Sequence, residues 1–495
     1  MTNALLPSPA GGRGAGGEGI GINRIAVVLA AGKGTRMRSA LPKVLHQAAG
    51  RPLLGWVIEA ARAAGCARIL VVIGHGAEQV RETFSGEGFE DIAWVLQAEQ
   101  RGTGHALAQV ESEVQGAATL LVLSGDVPLV TPATLDRLAS DAEAGWGSMA
   151  VAELADPGSL GRVITNADGG LDRIVEARDA NPEEIRERRI NAGLYALPAP
   201  EIFGYLARLT TSNAQGELYL TDAVTNAARD GRPVRLVTLD EPDEALGVNN
   251  RVELALVHRL LIQRHLQNLM EAGVTILAPD RTTIEPGVRI GADTIIHPDV
   301  ALLGRTEVGS GCVLHQGAWL RDSRLADGVT IEPYSVLDGA AVGDGCRVGP
   351  FARLRPGSHL HRKAKVGNFV EVKSSVLGEG TKVGHLAYIG DATVGDGANI
   401  GAGVVTCNYD GVRKNPTEVG RGAFIGSDTM LVAPVRVGEG AMTAAGSVVT
   451  KNVPDGALAV ARVRQKNLAG RSGGLRRRGD AAGGDSIDKT SREES

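Results

Sequence analysis

At 495 residues the chain exceeds what one ordinary core accommodates, so two large domains are expected. A formal net charge of −5 gives no global field to attract nucleic acid or anionic membrane. No run approaches about 18 apolar residues, which excludes membrane insertion, and Cys66, Cys312, Cys346 and Cys407 are scattered without CxxC spacing, which points to a reduced, cytoplasmic chain.

Residues 1–23 include the string GGRGAGGEGIG and are expected to be a disordered leader, with no apolar h-region of a secretory signal. An apolar run at 25–29 reads as a strand and leads into the Gly-rich turn 29–37, Leu-Ala-Ala-Gly-Lys-Gly-Thr-Arg-Met. Strand-like runs at 69–73 and 120–123 alternate with helical patterns at 53–64 and 132–144, which argues for a parallel α/β sheet wound on both faces over residues 24–251. In the Gly-rich turn the backbone can approach a polyphosphate, and Lys33, Arg36 and Lys43 can offset its charge. Such a turn alone is more often a simple strand-to-helix connection. A second backbone-exposing loop runs from Gln97 through Gly102, Thr103 and Gly104 to His105. The Gln97 amide suits a pyrimidine edge, and Gly102 leaves room for a flat base. Asp126 follows Leu123-Ser124-Gly125 at a strand's carboxyl end, where ligands bind in such sheets, although an aspartate there is often only a helix cap.

Residues 252–273 read as an amphipathic linker helix of about 22 residues, roughly 33 Å long, stopped by Gly273. The period then becomes six, through Ile284, Ile290 and Ile296, through Val342, Val348 and Leu354 to Val372, and later through Val419, Ile425, Leu431 and Val437. That period fits neither helix nor hairpin but does fit a solenoid. With three faces of six residues, 274–463 makes roughly ten coils, a rod about 50 Å long at the usual strand spacing. One insertion interrupts it at 407–418. Residues 464–495, with the basic run Arg476-Arg477-Arg478, are expected to be a disordered, solvated tail. In the solenoid, His385 is the candidate base, because an imidazole accepts a proton near neutral pH. A lone His on such a surface is more often solvated, and His359 and His361 lack a third partner for metal.

The whole string 29–37 with Leu41-Pro42-Lys43 resembles the signature of sugar-phosphate nucleotidyltransferases. Segments of the solenoid are similar to those of the bifunctional uridylyltransferase/acetyltransferases. They include Gly349-Pro-Phe-Ala-Arg-Leu-Arg355, Val366-Gly-Asn-Phe-Val-Glu-Val-Lys373 and Thr406-Cys-Asn408-Tyr409-Asp-Gly411. The resemblance covers about residues 24–463 and implies a Rossmann-like nucleotidyltransferase domain followed by a left-handed parallel β-helix of hexapeptide repeats. It implies that UTP and UDP-N-acetylglucosamine are held by Leu29, Ala30, Ala31, Gly32, Lys43, Gln97, Gly102, Thr103, Ser124, Gly125, Asp126, Gly161, Glu176, Asn191 and Asn249. Asp126 and Asn249 are the implied ligands of Mg²⁺, with Arg36 and Lys43 offsetting phosphate charge. In the β-helix it implies His385 as base, with Arg355 and Lys373 on the phosphate of glucosamine-1-phosphate and Tyr388 and Asn399 on its sugar. Asn408 is implied for both sugar and acetyl-CoA, and Ala402, Tyr409, Ser427, Ala445 and Arg462 for acetyl-CoA. N-acetylglucosamine-1-phosphate made there becomes the substrate of the first site, and a homotrimer is implied. Two departures stand out: the leader lies outside the pattern, and the proline expected after Val463 is Arg464. A single-activity nucleotidyltransferase with a structural β-helix explains 24–251 equally well but not the grouping of Arg355, Lys373, His385, Asn408 and Tyr409. A solenoid used only as a binding rod leaves the phosphate loop, Asp126 and Asn249 without a purpose.

Overall fold

The computed structural model describes residues 23–86 and 88–469. The leader through residue 22 and the basic run at 476–478 lie outside the described residues. The chain divides into two compact units after Ala272, with Thr283–Val288 belonging to the first.

In the first unit β1 (Arg24–Ala30) leads through the Gly-rich turn to a small hairpin, β2 (Gln47–Ala48) and β3 (Arg51–Pro52), and then to α1 (Leu53–Ala63). There follow β4 (Arg68–Ile73), α2 (Ala77–Thr83), β5 (Ile92–Leu96), α3 (Thr103–Ala108), β6 (Ala118–Ser124) and α4 (Pro132–Glu143). The remainder is β7 (Gly147–Glu153), β8 (Arg162–Thr165), β9 (Leu171–Val175), β10 (Arg189–Ala199), α5 (Glu201–Leu206), α6 (Leu220–Arg229), β11 (Val234–Thr238) and α7 (Arg251–Glu271). The nearly continuous apolar runs of β1, β4 and β6 are those of strands covered on both faces. Successive side chains separate into two cores. Ala26 and Val28 pack with Leu54 and Ile58 of α1 and Leu135 and Leu138 of α4, while Ile25 and Val27 pack with Leu107 of α3 and Ala223 and Val224 of α6.

The sheet order is β11-β7-β10-β6-β1-β4-β5, and it is mixed rather than wholly parallel as expected from the sequence. β1 pairs in parallel with β4 and β6, but β10 runs antiparallel to both β6 and β7. A parallel return needs a long crossover, usually a helix. After β7 the chain makes the β8–β9 hairpin instead and comes back as β10 with no such crossover, so the direction reverses. The parallel strands β1, β5 and β6 still end on one edge, and the Gly-rich turn, Gln97 and Asp126 follow those ends. At the start of α7 the Asn250 side chain accepts from the N–H groups of Val252 and Glu253 at 2.9 and 3.0 Å. The capping duty falls on Asn250 and leaves its neighbour Asn249 for other work.

The second unit is a parallel β-helix of three sheets with eleven, ten and nine strands, the architecture of the left-handed hexapeptide solenoid. Most strands are two or three residues long, and coils are joined by hydrogen bonds between residues 17 or 18 apart, as in Arg321–Asp338 and Arg281–Asp299. The period-six apolar positions form the interior: Ile296, Val348, Leu354, Val372, Ile425 and Val437 are all buried. Ile290, near the start, is only half-buried. The insertion lengthens one coil, so that Thr393 pairs with Glu418.

Candidate active sites

The Gly-rich turn, the loop after β5 and the end of β6 enclose a cavity of about 670 Å³. Leu29, Ala30, Ala31, Gly32, Lys43, Gln97, Gly102, Thr103, Ser124 and Asp126 line it, and Lys33, Thr35, Gln100 and Glu217 join them. Gly34 takes φ 59°, and a Cβ there would stand 2.6 Å from the Cβ of Lys43, so the turn must be bare for Lys43 to lie across it. Gly102 has a different cause from the room for a base read in the sequence. At φ 108° a Cβ would meet the Leu218 carbonyl oxygen at 2.6 Å, so the protein's own backbone demands the glycine. Gln97 is buried, and its Nε2 donates to the Gly102 carbonyl at 3.2 Å, which fixes the amide on the cavity wall. The Gly125 N–H donates to the Leu29 carbonyl at 2.9 Å and ties the end of β6 to β1.

Asp126 does not cap the following helix. That role belongs to Thr131, whose side chain accepts from the Thr134 N–H at 3.2 Å. Instead Lys43 Nζ pairs with Asp126 Oδ2 and donates to Asn249 Oδ1 at 3.2 Å, while Arg36 Nη2 donates to the same Asn249 oxygen at 2.8 Å. Two oxygens from distant parts of the chain thus converge on one cation. A carboxylate and an amide oxygen are hard donors, and two of them suit Mg²⁺, which keeps several waters and takes substrate phosphates.

Gly161, Glu176 and Asn191 gather beside β8–β10. The Asn191 N–H donates to the Gly161 carbonyl at 2.9 Å, and Gly161 is bare where it faces the Glu176 carboxylate. Asn191 Nδ2 donates to the Tyr195 hydroxyl at 2.7 Å and Thr221 Oγ1 to Glu176 at 3.5 Å. Burial, reinforced by the charge of Asp179, holds the Glu176 carboxyl above the ordinary carboxylate range.

In the solenoid, His385 stands at a corner between two of the sheets. Its Nδ1 meets Asn368 Oδ1 of the preceding coil; with that oxygen accepting, Nδ1 carries the proton and Nε2 keeps its lone pair. Asn368 was missed by sequence reasoning, since nothing but the coil spacing of 17 links it to His385. Main-chain bonds continue the corner upward. Gly403 N–H donates to the His385 carbonyl at 3.1 Å, Asp428 N–H to Ala402 at 2.7 Å and Gly446 N–H to Ser427 at 2.8 Å. His385, Ala402, Ser427 and Ala445 therefore stand in one column, a coil apart. Arg462 is exposed beyond the last strand, Leu458–Ala459.

On the adjoining sheet Glu371 pairs with Tyr388 and Lys373 with Gly390. Arg355 Nη1 donates to Glu371 at 3.0 Å, and Asn408 Nδ2 reaches both Asp391 and, at 3.5 Å, the Tyr388 hydroxyl. The insertion folds into a small hairpin. Asp410 accepts from the N–H groups of Arg413 and Val412 and from Asn415, which lowers its carboxyl to about 2, while Tyr409 stays exposed and bonds the Gly411 carbonyl at 2.6 Å. The hairpin returns Lys414 to Lys373, whose ammonium is pushed below its ordinary value by that neighbour, by desolvation and by Arg355. Lys414 is a second residue that sequence reasoning missed, because only the hairpin's closure brings it there. Arg355, Lys373, Tyr388 and Asn408 are thus gathered on one face. Asn399 lies on another sheet, in a cavity of about 340 Å³ that His385 also lines.

A family model described as MobA-like NTP transferase domain matches residues 26–195. Relatives named bifunctional protein GlmU match far more. That of Pelobacter propionicus is 46% identical over 451 residues, 90% of this chain and 98% of its own. That of Trichlorobacter lovleyi is 47% identical over 448 residues, covering 90% and 97%, and that of Alkalilimnicola ehrlichii is 47% identical over 444 residues, covering 90% and 95%. A solved UDP-glucose pyrophosphorylase complexed with UDP-glucose is 20% identical, with TM-score 0.41 over 49% of this chain and 99% of its own.

Proposed function

The chain belongs to the family of the bifunctional protein GlmU and is a uridylyltransferase joined to an acetyltransferase; from that premise we propose how its residues divide the two reactions. It makes UDP-N-acetylglucosamine, a precursor of cell-wall peptidoglycan and lipopolysaccharide. Glucosamine-1-phosphate is acetylated from acetyl-CoA in the β-helix, and UMP then passes from UTP to N-acetylglucosamine-1-phosphate in the α/β unit.

For uridylyl transfer, Gln97 takes the pyrimidine edge, the Gly-rich turn lays its N–H groups along the triphosphate, and Gly161, Glu176 and Asn191 hold the acetylated sugar. Asp126 and Asn249 would hold Mg²⁺, which draws charge off the phosphates when bound. Lys43 and Arg36, already gathered at those two oxygens, turn their charge to the phosphates. The sugar-phosphate oxygen attacks the α-phosphorus in line, the bond to the β-phosphate breaks, and pyrophosphate leaves. Positioning and charge neutralisation carry the rate.

For acetyl transfer, His385 Nε2 takes a proton from the amine as nitrogen attacks the thioester carbonyl, and the thiol of CoA leaves. Asn368 positions the imidazole. Arg355 and Lys373 face the sugar phosphate, Tyr388, Asn399 and Asn408 the sugar, and Ala402, Tyr409, Ser427, Ala445 and Arg462 the acetyl-CoA. The linear carrier fits the column that rises from His385. We place the enzyme in the cytoplasm as a homotrimer; no helix among the described residues is long and apolar enough to cross a membrane.

The observation that carries this division is that each unit has its own converged site, Asp126 with Asn249 in one and the His385 column in the other. A single-activity enzyme has no use for the second. The test supplies glucosamine-1-phosphate, acetyl-CoA, UTP and Mg²⁺ and follows free thiol and pyrophosphate separately. Both should appear, thiol first; pyrophosphate with no thiol at any time would return the β-helix to a structural role.

A further inference from the structure

The solenoid cancels its surface charge from coil to coil. Arg281 meets Asp299 at 2.5 Å, Arg321 meets Asp338 at 2.8 Å and Arg324 meets Glu307 at 3.4 Å. One row breaks this habit. Arg347, Lys365, Lys382 and Asn399 are successive partners in the ladder, so three cations stand coil above coil on one face. Arg347 has Glu332 at 2.7 Å, but among the described residues neither Lys365 nor Lys382 meets a carboxylate. Like charges directly opposite in neighbouring strands, about 4.8 Å apart, destabilise a sheet. The row lines the cavity of about 340 Å³ that also holds His385, and none of the described residues lining it is acidic.

We propose that Lys365 and Lys382, backed by Arg347, form a phosphoryl-anion subsite of the acetyl-transfer centre, beyond Arg355 and Lys373. The inference rests on the acetyltransferase reading given above. A phosphoryl group supplies the missing counter-charge, and ammonium groups hold it as point charges. Both reactants carry such groups. The coenzyme's column rises from His385 toward Ala445, whereas the basic row descends from it, so the phosphate of the amino sugar is the nearer source.

The experiment uses the full-length enzyme and Lys365→Met, Lys382→Met and the double variant, with Lys382→Arg as the conservative control. KM is measured for glucosamine-1-phosphate at saturating acetyl-CoA and for acetyl-CoA at saturating sugar, with kcat from each. The expected result is a rise of about tenfold or more in the sugar KM of the double variant, equivalent to about 1.4 kcal/mol, with kcat within about threefold and recovery in Lys382→Arg. A rise confined to the acetyl-CoA KM keeps the anion subsite and assigns it to the coenzyme's phosphates. If neither KM moves beyond about twofold, or if the variants instead change molecular mass in light scattering with both KM values intact, the proposal is overturned and the lysines serve assembly. Circular dichroism and the melting temperature of acetyl transfer in the same variants report on folding of the β-helix. A wild-type enzyme that releases no thiol would fail the acetyltransferase reading itself, a result distinct from any of these.

Discussion

Asp126 and Asn249 are separated by nearly half of the first unit's sequence, yet Lys43 touches an oxygen of each. An ammonium and a divalent cation compete for the same two oxygens, and of the two only the Asp126 oxygen carries charge, so removing the carboxylate removes the anionic half of the pair. Asp126→Ala should lower pyrophosphate release by a factor on the order of 10² to 10³, the worth of one electrostatic group in a transition state, and leave thiol release unchanged. Chelating the metal with EDTA should reproduce that split in the parent enzyme. Equal loss of both products in a stopped assay would mean the site is misassigned. Glu176 gives a pH signature. Its folded carboxyl titrates above the ordinary 4.5 because burial disfavours its charge. Ionising it in the folded state is therefore harder than in the unfolded chain, and the native state loses stability as pH rises through the folded value. Glu176→Gln stays neutral, so its melting temperature relative to the parent should be level below about pH 4.5 and should climb as pH rises to 7. A difference that does not change with pH would refute the burial argument. The candidates that the sequence offers are residue types whose chemistry can be named without a partner: the phosphate-loop glycines, Asp126 and His385. Gly102 was legible as a glycine, but its reason, the Leu218 carbonyl, belongs to the fold. Asn368 and Lys414 are ordinary polar residues until coil stacking and hairpin closure set them against His385 and Lys373.

Elements were readable where one period repeats. The six-residue spacing of apolar side chains became the buried column of the β-helix, where one large aliphatic side chain per face, such as Leu354 or Val348, fills the interior beside a smaller buried one two residues earlier, such as Ala352 or Cys346. Sheet direction was not readable in the same way, because alternating strands and helices report that crossovers exist, and one hairpin in place of a helix reverses β10 without altering the pattern. The solenoid's stability is the sum of coil-to-coil contacts, so a defect in one coil should weaken its neighbours first. Leu354 is fully buried on the strand beneath Val372, next to the coil of Lys373. Leu354→Ala should cost about 2–5 kcal/mol by loss of transfer energy and the cavity left behind. On stepwise heating, acetyl transfer should fail at a lower temperature than in the parent, while uridylyl transfer keeps its parental profile. Simultaneous failure of both would show that the units unfold as one.

At the scale of the whole molecule the proposed trimer and the two activities meet. Tyr334, Phe351 and Phe369 stack along one corner with ring centroids 5.4 and 5.3 Å apart, and Phe369 is 56% exposed. An aromatic stripe rising toward Leu386, beside His385, is a surface that a second copy of the coil can cover. Phe369→Asp would bury a charge there and should shift light scattering from trimer toward monomer, with acetyl transfer falling in step. A monomeric variant with full acetyl transfer would remove the trimer from the mechanism. His385 then separates catalysis from assembly. His385→Ala should leave the trimer intact and lower acetyl transfer by a factor on the order of 10² to 10⁴, the usual worth of a positioned general base. Uridylyl transfer from supplied N-acetylglucosamine-1-phosphate should stay near the parent's rate, since the solenoid's contacts run mainly between adjacent coils and the lost imidazole removes only its own bond to Asn368. Asn368→Ala, which frees the ring without removing it, should fall between the parent and His385→Ala in acetyl transfer. Thiol and pyrophosphate measured in parallel decide the matter: full thiol release from His385→Ala would make the imidazole a bystander and would require another base on the same corner.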